Sequence, residues 1–255
     1  MNTLVREILE KSSIDGYLSK KLFIKEQCKT NPDDRFIYRR SQEIMDAFFG
    51  IQIPEDFHTD YYFWATTTLA MAEPLLNLVQ KDYDILEIGC GPCATLSVFL
   101  AKHVLTNQTC IDINSEFLRS ASLVSNHNKV KIDFIQSDLV SNLSGKKKFD
   151  VVFMNPPYLP PESLDSLSIN KGASELIPGD GGIDGTKILS QLLSIASSIL
   201  KPSGKLIIGI NTRHLKDEIV IKKIQALEHW KWKKFYNEKD AQPNGPYAQV
   251  YILDL

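Results

Sequence analysis

Short apolar runs alternate with stretches of helical spacing from residue 82 to the end of the chain. Apolar runs bounded by polar and turn residues predict strands, and apolar residues at every third or fourth position predict helices with one buried face. Strands that alternate with helices indicate an α/β fold with a doubly wound, mostly parallel sheet. The predicted strands span 83–88, 109–113, 130–135, 149–154, 204–210, 231–237 and 247–255, with helices over 93–104, 114–126, 185–200 and 215–228.

The last two predicted strands have no helix between them. A loop rich in Gly, Pro and Asn joins them, which is typical of an antiparallel hairpin. The pattern therefore predicts a seven-stranded sheet with a terminal antiparallel hairpin and one antiparallel strand at its edge. In the expected spatial order 3-2-1-4-5, the strand 149–154 lies beside the strand 83–88.

Helical spacing also marks the first 50 residues. The sequence NPDD at 31–34 is typical of a helix start, and Gly50 with Pro54 closes the region. A further apolar helix is expected over 66–80, where Pro74 marks a kink or a boundary. We therefore predict a small helical N-terminal domain over residues 1–75 and an α/β domain over residues 76–255.

Composition limits the expected cellular location and the expected class of binding partner. Of its 255 residues, 43% are hydrophobic and 24% charged, and no apolar run approaches the roughly 20 residues of a membrane helix. The N-terminus has no apolar core of signal-peptide length, and four cysteines do not suggest a disulfide framework, so a cytoplasmic location is expected. The formal net charge of −2 disfavours a dedicated nucleic-acid binder, and the basic runs at 145–149 and 229–235 are interpreted as solvated segments that enter strands.

A glycine-rich turn follows the first predicted strand, in the sequence Glu87-Ile-Gly89-Cys-Gly91. Glycines let the backbone approach a ligand closely, and the helix that follows offers free N–H groups. Asp112 ends the second strand, where it can accept hydrogen bonds from ribose hydroxyls. Asp138 follows the third strand, where it can accept from an adenine amino group. All three features fall on the carboxyl edge of the predicted sheet.

The same turn contains Cys90-Gly-Pro-Cys93, the four residues that form the redox centre of thioredoxins. A thioredoxin-like oxidoreductase predicts a Cys90 thiolate of depressed pKa. Thioredoxins have Trp before the first cysteine, where this chain has Gly89, and no matching short domain surrounds the motif. We therefore interpret both cysteines as small side chains that flank a ligand-binding loop.

The sequence Asn155-Pro156-Pro157-Tyr158 follows the fourth strand, where the winding of the sheet reverses and ligands bind. The prolines fix φ and remove two N–H donors, so the turn is stiff and exposes carbonyl oxygens. The Asn155 side-chain oxygen and the Pro156 carbonyl can accept both hydrogens of a planar –NH₂ group, on which Tyr158 can stack. Hydrogen bonds that favour a pyramidal nitrogen free its lone pair for attack on an electrophilic methyl.

These motifs resemble the series found in class I S-adenosylmethionine-dependent methyltransferases that modify planar nitrogen. The matching segments are ExGxG at 87–91, Asp112, SDL at 137–139 and NPPY at 155–158. The resemblance implies an enzyme with S-adenosylmethionine as cofactor, no metal, and the catalytic residues Asn155, Pro156 and Tyr158. The cofactor-binding residues that it implies are Glu87, Gly89, Gly91, Asp112, Asp138, Leu139 and Asn155.

The segment 176–210 narrows the resemblance to HemK-type protein-(glutamine-N5) methyltransferases, and it covers about residues 82–255. That family has a Gly-Gly-x-x-Gly helix opening, matched here by Gly181, Gly182 and Gly185. The resemblance implies a Rossmann-like class I methyltransferase fold and a translation release factor as protein substrate, methylated on the glutamine of its GGQ loop. It also implies that residues 1–75 help to dock this substrate.

The region before the first strand departs from that family. HemK-type enzymes have an acidic–Thr motif there that reaches the cofactor, and here only Thr59 with Asp60, or the run Thr66–Thr68, stands in its place. Tyr62 and Trp64 either cover the cofactor or pack in the core, and core packing is the expectation.

Other functions are weighed against this one. N6-adenine methylation of RNA or DNA is the alternative reaction, because the same motifs serve it. A catalytically silent methyltransferase fold that acts as a binding subunit is disfavoured by the intact NPPY. The five histidines show no metal-ligand spacing, and neither a nucleophile elbow nor a P-loop is present. The sequence leaves the oligomeric state and the need for an activating partner open.

Overall fold

A computed structural model of the protein describes residues 3, 6, 39–59, 61, 63–145, 147–159, 181–212, 214–235 and 248–255. The strands are β1 (Asp84–Ile88), β2 (Asn107–Asp112), β3 (Asp133–Gln136), β4 (Phe149–Met154), β5 (Leu200–Asn211), β6 (Lys231–Lys234) and β7 (Ala248–Asp254). The helices are α1 (Gln42–Phe49), α2 (Thr66–Leu78), α3 (Thr95–His103), α4 (Ser115–His127), α5 (Lys187–Ile199) and α6 (Asp217–Gln225).

The strands form one sheet in the order β3-β2-β1-β4-β5-β7-β6. The five strands from β3 to β5 pair in parallel, and β7 pairs antiparallel with both of its neighbours. The predicted doubly wound, mostly parallel sheet with a terminal hairpin is therefore confirmed. Since β1 lies next to β4, the winding reverses between these two strands.

The place of the antiparallel strand differs from the prediction. We expected it at the edge of the sheet, but β7 lies between β5 and β6. The residues of β7 are almost all buried, so the strand needs neighbours on both sides. β6 reads Lys-Trp-Lys-Lys with alternating exposure, and lysines on an edge strand discourage pairing with other chains.

The core lies on the two faces of the sheet. Successive side chains of a strand point to opposite faces, so Ile85 of β1 packs with one cluster and Leu86 with the other. Helices α1 to α4 contribute to the first cluster, and α5 and α6 contribute to the second. This layering leaves the carboxyl ends of the parallel strands uncovered by the helices that pack on the faces.

Helices α1 and α2 belong to the region that the sequence assigns to an N-terminal domain. Both pack into the same cluster as Ile85 of the sheet. Pro74 is buried inside α2 rather than at its end, because the buried neighbours Met71 and Leu75 hold the helix in place through tertiary packing. The division at residue 75 stays a prediction, and the predicted helix start at 31–34 and the hairpin loop lie outside the described residues.

Candidate active site

Three strand ends meet at one edge of the sheet. Ile88 of β1 pairs with Ile111 of β2 and with Met154 of β4. The residues that come next in the three segments therefore share the carboxyl edge, and they include Asp112 and Asn155. This edge, at the reversal between β1 and β4, is where open α/β sheets bind ligands.

The turn after β1 owes its shape to two glycines. Gly89 and Gly91 have φ angles of +69° and +65°, which side chains with a Cβ rarely adopt. The Gly89 N–H donates to the Ile111 carbonyl at 2.8 Å, and the Gly91 N–H donates to Asp112 Oδ2 at 3.0 Å. The turn is thus tied to β2, and it leads into the start of α3.

Asp112 joins the glycine turn to the loop after β2. Its side chain is 7% exposed, and Oδ1 accepts from the Asn114 N–H at 3.0 Å while Oδ2 accepts from Gly91. Burial raises the pKa of Asp112, and the hydrogen bonds from backbone N–H groups oppose that effect. The Asp112 carbonyl also accepts from the Ser137 N–H at 3.0 Å, so the ends of β2 and β3 are held together.

Glu87 faces the protein interior between β1 and α3. Its Oε2 accepts from Ser97 Oγ at 2.5 Å and from the Ser97 N–H at 3.2 Å, and the Cys110 thiol lies at 3.8 Å. Burial raises the pKa of Glu87 to about 8, although the hydrogen bonds from Ser97 oppose the rise. The observed contacts of Glu87 anchor α3 to the strand that carries the glycine turn.

Asp138 and Leu139 follow β3, one strand further along the sheet. Asp138 is exposed, and its carbonyl accepts from the Ser141 N–H at 3.1 Å. Leu139 is half-buried and has a φ of +47°, which is uncommon for a leucine and marks a constrained turn. The carboxylate of Asp138 therefore stands at the same edge of the sheet, open to solvent.

Asn155 directly follows β4, and it differs from the carboxylates of the neighbouring strands. Its Oδ1 is buried and has no hydrogen-bond partner among the described residues. A buried acceptor without a donor costs about 1–3 kcal/mol, so such atoms in folded proteins usually have a function. Pro156, the next residue, is buried and has no N–H that could satisfy the oxygen.

Tyr158 is held by groups from distant parts of the chain. Burial raises the pKa of Tyr158 to about 12, and the proximity of the Asn211 backbone and of the Arg39 charge opposes the rise. The His214 ring lies nearly parallel to the Tyr158 ring, with centroids 6.3 Å apart. Sequence reasoning missed these neighbours, although Asn211 ends β5 at the same carboxyl edge and could have been found by the rule that located Asp112.

The segment before α2 crosses the same edge. The Tyr61 ring packs edge-on against Phe117 at the start of α4, with centroids 4.6 Å apart, and the Phe63 carbonyl accepts from Thr95 Oγ1 at 2.5 Å. Trp64 is 2% exposed and lies among core aromatics, as expected. Thr66 accepts from Arg39 at 3.0 Å, whereas the buried Thr67 hydroxyl has no hydrogen-bond partner among the described residues. Asp60 and Tyr62 lie outside the described residues.

The cysteines of the CGPC motif are unlike a thioredoxin dithiol. Cys90, Cys93 and Cys110 are buried free thiols. The pKa of Cys90 is raised by a hydrogen bond with Cys110 and by burial, and burial raises the pKa of Cys93. A nucleophilic dithiol needs a depressed pKa, so the microenvironment opposes that chemistry.

The edge has the groups that S-adenosylmethionine requires. The glycine turn and the start of α3 offer a close backbone approach, while Asp112 and Asp138 place carboxylates along the neighbouring strands. The unpartnered Asn155 oxygen lies at the adjacent strand end. The residues present therefore fit the cofactor, and the assignment of Gly89, Gly91, Asp112 and Asp138 to its binding stays a prediction.

Comparisons with known proteins agree with this site. The family model "Methyltransferase small domain" matches residues 66–170. A candidate protein N5-glutamine methyltransferase of Methanocaldococcus jannaschii is 34% identical over 150 residues, which is 58% of this chain and 70% of the relative. The release factor glutamine methyltransferase of Rhodopirellula baltica is 32% identical over 133 residues, 50% of this chain and 44% of the relative, so the match spans less than half of that protein.

The fold has a close counterpart among solved structures. A methyltransferase from Pyrococcus furiosus matches with a TM-score of 0.61 and 20% identity, over 88% of this chain and 98% of the other. The strand order and this likeness define the fold of a class I methyltransferase. Together with the match to the Methanocaldococcus relative, they show that the chain belongs to the S-adenosylmethionine-dependent methyltransferases, in the HemK-like glutamine methyltransferase family. S-adenosylmethionine is therefore its methyl donor.

The described part of the chain offers neither a candidate membrane span nor a candidate metal cluster. None of its helices is long and apolar enough to cross a membrane. No group of three or more His, Cys, Asp or Glu side chains in the same residues could hold a metal ion.

Proposed function

We propose that the enzyme methylates the side-chain amide nitrogen of a protein glutamine, of the kind found in the GGQ loop of translation release factors. The observation that carries the proposal is the buried Asn155 Oδ1 without a donor, at the reversal point of the sheet. A primary amide supplies the missing N–H. The names of the Methanocaldococcus and Rhodopirellula relatives support glutamine as the acceptor.

The chain's own residues would prepare the acceptor nitrogen. Asn155 Oδ1 accepts one N–H of the amide, and the Pro156 carbonyl accepts the other. An amide nitrogen is a poor nucleophile because its lone pair is delocalised, and two acceptors that favour a pyramidal nitrogen restore that lone pair. Tyr158 stacks on the amide plane and excludes water.

When bound, S-adenosylmethionine supplies a methyl group on a positively charged sulfur. The proton that the nitrogen must release becomes acidic after methylation, so no strong base is needed.

Charge placement favours a protein acceptor over adenine in nucleic acid. Both basic runs enter their strands at the amino edge of the sheet, opposite to Asn155. Lys147 donates to Thr109 Oγ1 at 2.8 Å, and Lys234 pairs with Asp217 at 2.8 Å, so their charges serve internal contacts. Lys234 ends β6 level with Met154, at the edge that carries Asn155, but its charge is paired with Asp217.

An acceptor screen tests the proposal. The enzyme is incubated with methyl-labelled S-adenosylmethionine and, in parallel, with a release factor, total RNA and genomic DNA. We expect label in the release factor, and none when its GGQ glutamine is replaced by alanine. Label that enters only nucleic acid would establish adenine methylation instead. Failure to bind S-adenosylmethionine in calorimetry would point to a silent binding subunit.

A further inference from the structure

The glycine-rich turn before α5 packs directly against the backbone of the NPPY loop. A Cβ placed on Gly181 would lie 2.7 Å from the Tyr158 carbonyl carbon and 2.8 Å from its Cα. A Cβ on Gly185 would lie 2.5 Å from the Tyr158 carbonyl oxygen. Contacts this short do not occur for real Cβ atoms, and backbone atoms cannot rotate away as the end of a side chain can. The two backbones meet at a distance that only glycine permits.

The turn is held rigidly to α5. The Lys187 N–H donates to the Gly181 carbonyl at 2.8 Å, and Asp184 Oδ1 accepts from the Thr186 N–H at 3.0 Å and from its hydroxyl at 2.7 Å. Buried leucines of α5, including Leu192, fix the helix on the sheet. The position of α5 therefore determines where the turn presents its glycines.

The NPPY loop is held between this turn and the end of β5. On one side, the Gly181 N–H donates to the carbonyl of Leu159, the residue after Tyr158, at 3.1 Å. On the other side, the Tyr158 ring lies nearly parallel to the ring of His214, three residues after the end of β5, with centroids 6.3 Å apart. A loop fixed on both sides keeps Asn155 at one place relative to the glycine turn after β1.

We infer that Gly181 and Gly185 are positioning residues of the methyl-transfer reaction, which set the location of the Asn155–Tyr158 loop through direct backbone contact. This inference rests on the proposed role of that loop in holding the acceptor. It gives a physical reason for the presence of glycine at two positions, which lie 26 and 30 residues after Asn155 in the sequence. Displacing the loop should slow transfer more than it weakens cofactor binding, because the predicted cofactor residues other than Asn155 lie in β1 or in the turns that follow β1, β2 and β3.

Gly181→Ala is the cleaner variant, because Gly181 has no positive φ and the added methyl meets only the backbone of Tyr158 and, at 2.9 Å, the Cα of Gly185 in the same turn among the nearest atoms. Two glycines give matched controls. A Cβ on Gly145 meets nothing within 4 Å, so Gly145→Ala should behave as wild type. A Cβ on Gly204 would lie 2.8 Å from the Phe149 carbonyl at the opposite edge of the sheet, so Gly204→Ala should lower stability and leave catalysis alone.

The experiment measures kcat with whichever acceptor the wild type methylates, together with the Kd for S-adenosylmethionine and the Tm. We expect Gly181→Ala to lower kcat by about 10–100-fold, since a displacement near 1 Å costs this much, with Kd within about twofold of wild type. The NMR resonance of the Asn155 side-chain amide should move in Gly181→Ala and stay in place in both controls.

The possible results are distinct. An unchanged kcat and an unmoved Asn155 resonance in Gly181→Ala would overturn the inference, as would a loss of cofactor affinity that matches the loss of kcat. If the wild type methylated nucleic acid and not protein, the proposed substrate would be wrong. The comparison of Gly181→Ala with its two control variants would still test the positioning role. If the wild type methylated none of the acceptors, the shift of the Asn155 side-chain resonance in Gly181→Ala would by itself decide whether Gly181 positions the loop.

Discussion

Asn155 is the residue at the carboxyl edge whose polar atom lacks a donor, whereas Glu87 and Asp112 are already hydrogen-bonded within the protein. The difference follows from position. Glu87 lies inside β1 and faces α3, and Asp112 meets the glycine turn, but Asn155 is followed by two prolines that have no N–H to offer. Among the described residues that end the parallel strands, the Asn155 oxygen is therefore open to a donor from an outside group. We expect that group to be the acceptor amide.

Glu87 predicts a specific dependence of stability on pH. Burial raises its pKa from 4.5 in the unfolded chain to about 8 in the fold. Between these values the unfolded state loses the proton while the folded state keeps it, so the free energy of unfolding falls as pH rises, and the decline ends above about pH 8. The shift corresponds to a decline of up to about 5 kcal/mol.

Glu87→Gln removes this titration. Urea unfolding at pH 5 and pH 8 should show the wild type losing stability relative to the variant as pH rises, while exposed Glu55→Gln parallels the wild type. Buried Asp112 changes stability in the same direction in all three proteins, so the difference between wild type and Glu87→Gln isolates Glu87. A difference that stays constant between the two pH values would contradict the assigned environment.

The burial of the thiols leads to a second prediction about single residues. Because the pKa values of Cys90 and Cys93 are raised, the two thiols should react slowly with an alkylating reagent in the folded protein and rapidly after unfolding. Cys93→Ser should keep its methyltransferase activity. Rapid alkylation of Cys90 and loss of activity in Cys93→Ser would together restore the dithiol interpretation.

Helix starts differ in how well they are capped. Ser41 accepts from the Ile44 N–H at 3.3 Å at the start of α1, whereas Ala65 begins α2 with no side-chain acceptor. Thr68 already accepts from the Ala65 N–H at 3.0 Å, and the extended backbone of Ala65 suits a serine. Half of a capping box is therefore in place at α2.

Opposite substitutions at these two positions should have opposite effects. We expect Ala65→Ser to raise the free energy of unfolding by about 1 kcal/mol and Ser41→Ala to lower it by about 1 kcal/mol. Urea unfolding of both variants beside the wild type measures the two changes. Shifts of the same sign would show that packing, rather than capping, governs these helix ends.

The boundaries of the strands show where the local sequence pattern was sufficient to predict the structure. The strand predicted over 149–154 is found at those residues, because it is an apolar run, interrupted only by Asp150, that is buried on both faces. β5 begins at Leu200, four residues before the prediction, since a register irregularity lets Leu200 pair with Phe149 although Pro202 and Gly204 interrupt the apolar pattern. The greater burial of β7 compared with β6 explains why β7 lies inside the sheet. The sequence alone did not predict the order of these two strands.

For the whole molecule, the alternation of strands and helices was enough to predict the layered fold and the edge that carries the site. The strand-end rule predicted that Gly89, Asp112 and Asn155 would share that edge, and their positions agree. The surroundings of Tyr158 could not be predicted, because Arg39, Asn211 and His214 come from parts of the chain without a shared motif. Long-range packing, rather than local pattern, determines such contacts.

The most direct test of the central claim locates the transferred methyl group. Wild type, Asn155→Ala and the exposed-site control Asn126→Ala are incubated with S-adenosylmethionine and a release factor, and tandem mass spectrometry reads the GGQ peptide. We expect the methyl on the glutamine side-chain nitrogen, formed about 10²–10³-fold more slowly by Asn155→Ala and at the wild-type rate by Asn126→Ala, with the loss in Asn155→Ala persisting at saturating S-adenosylmethionine. A methyl on any other atom, or an undiminished rate in Asn155→Ala, would contradict the account.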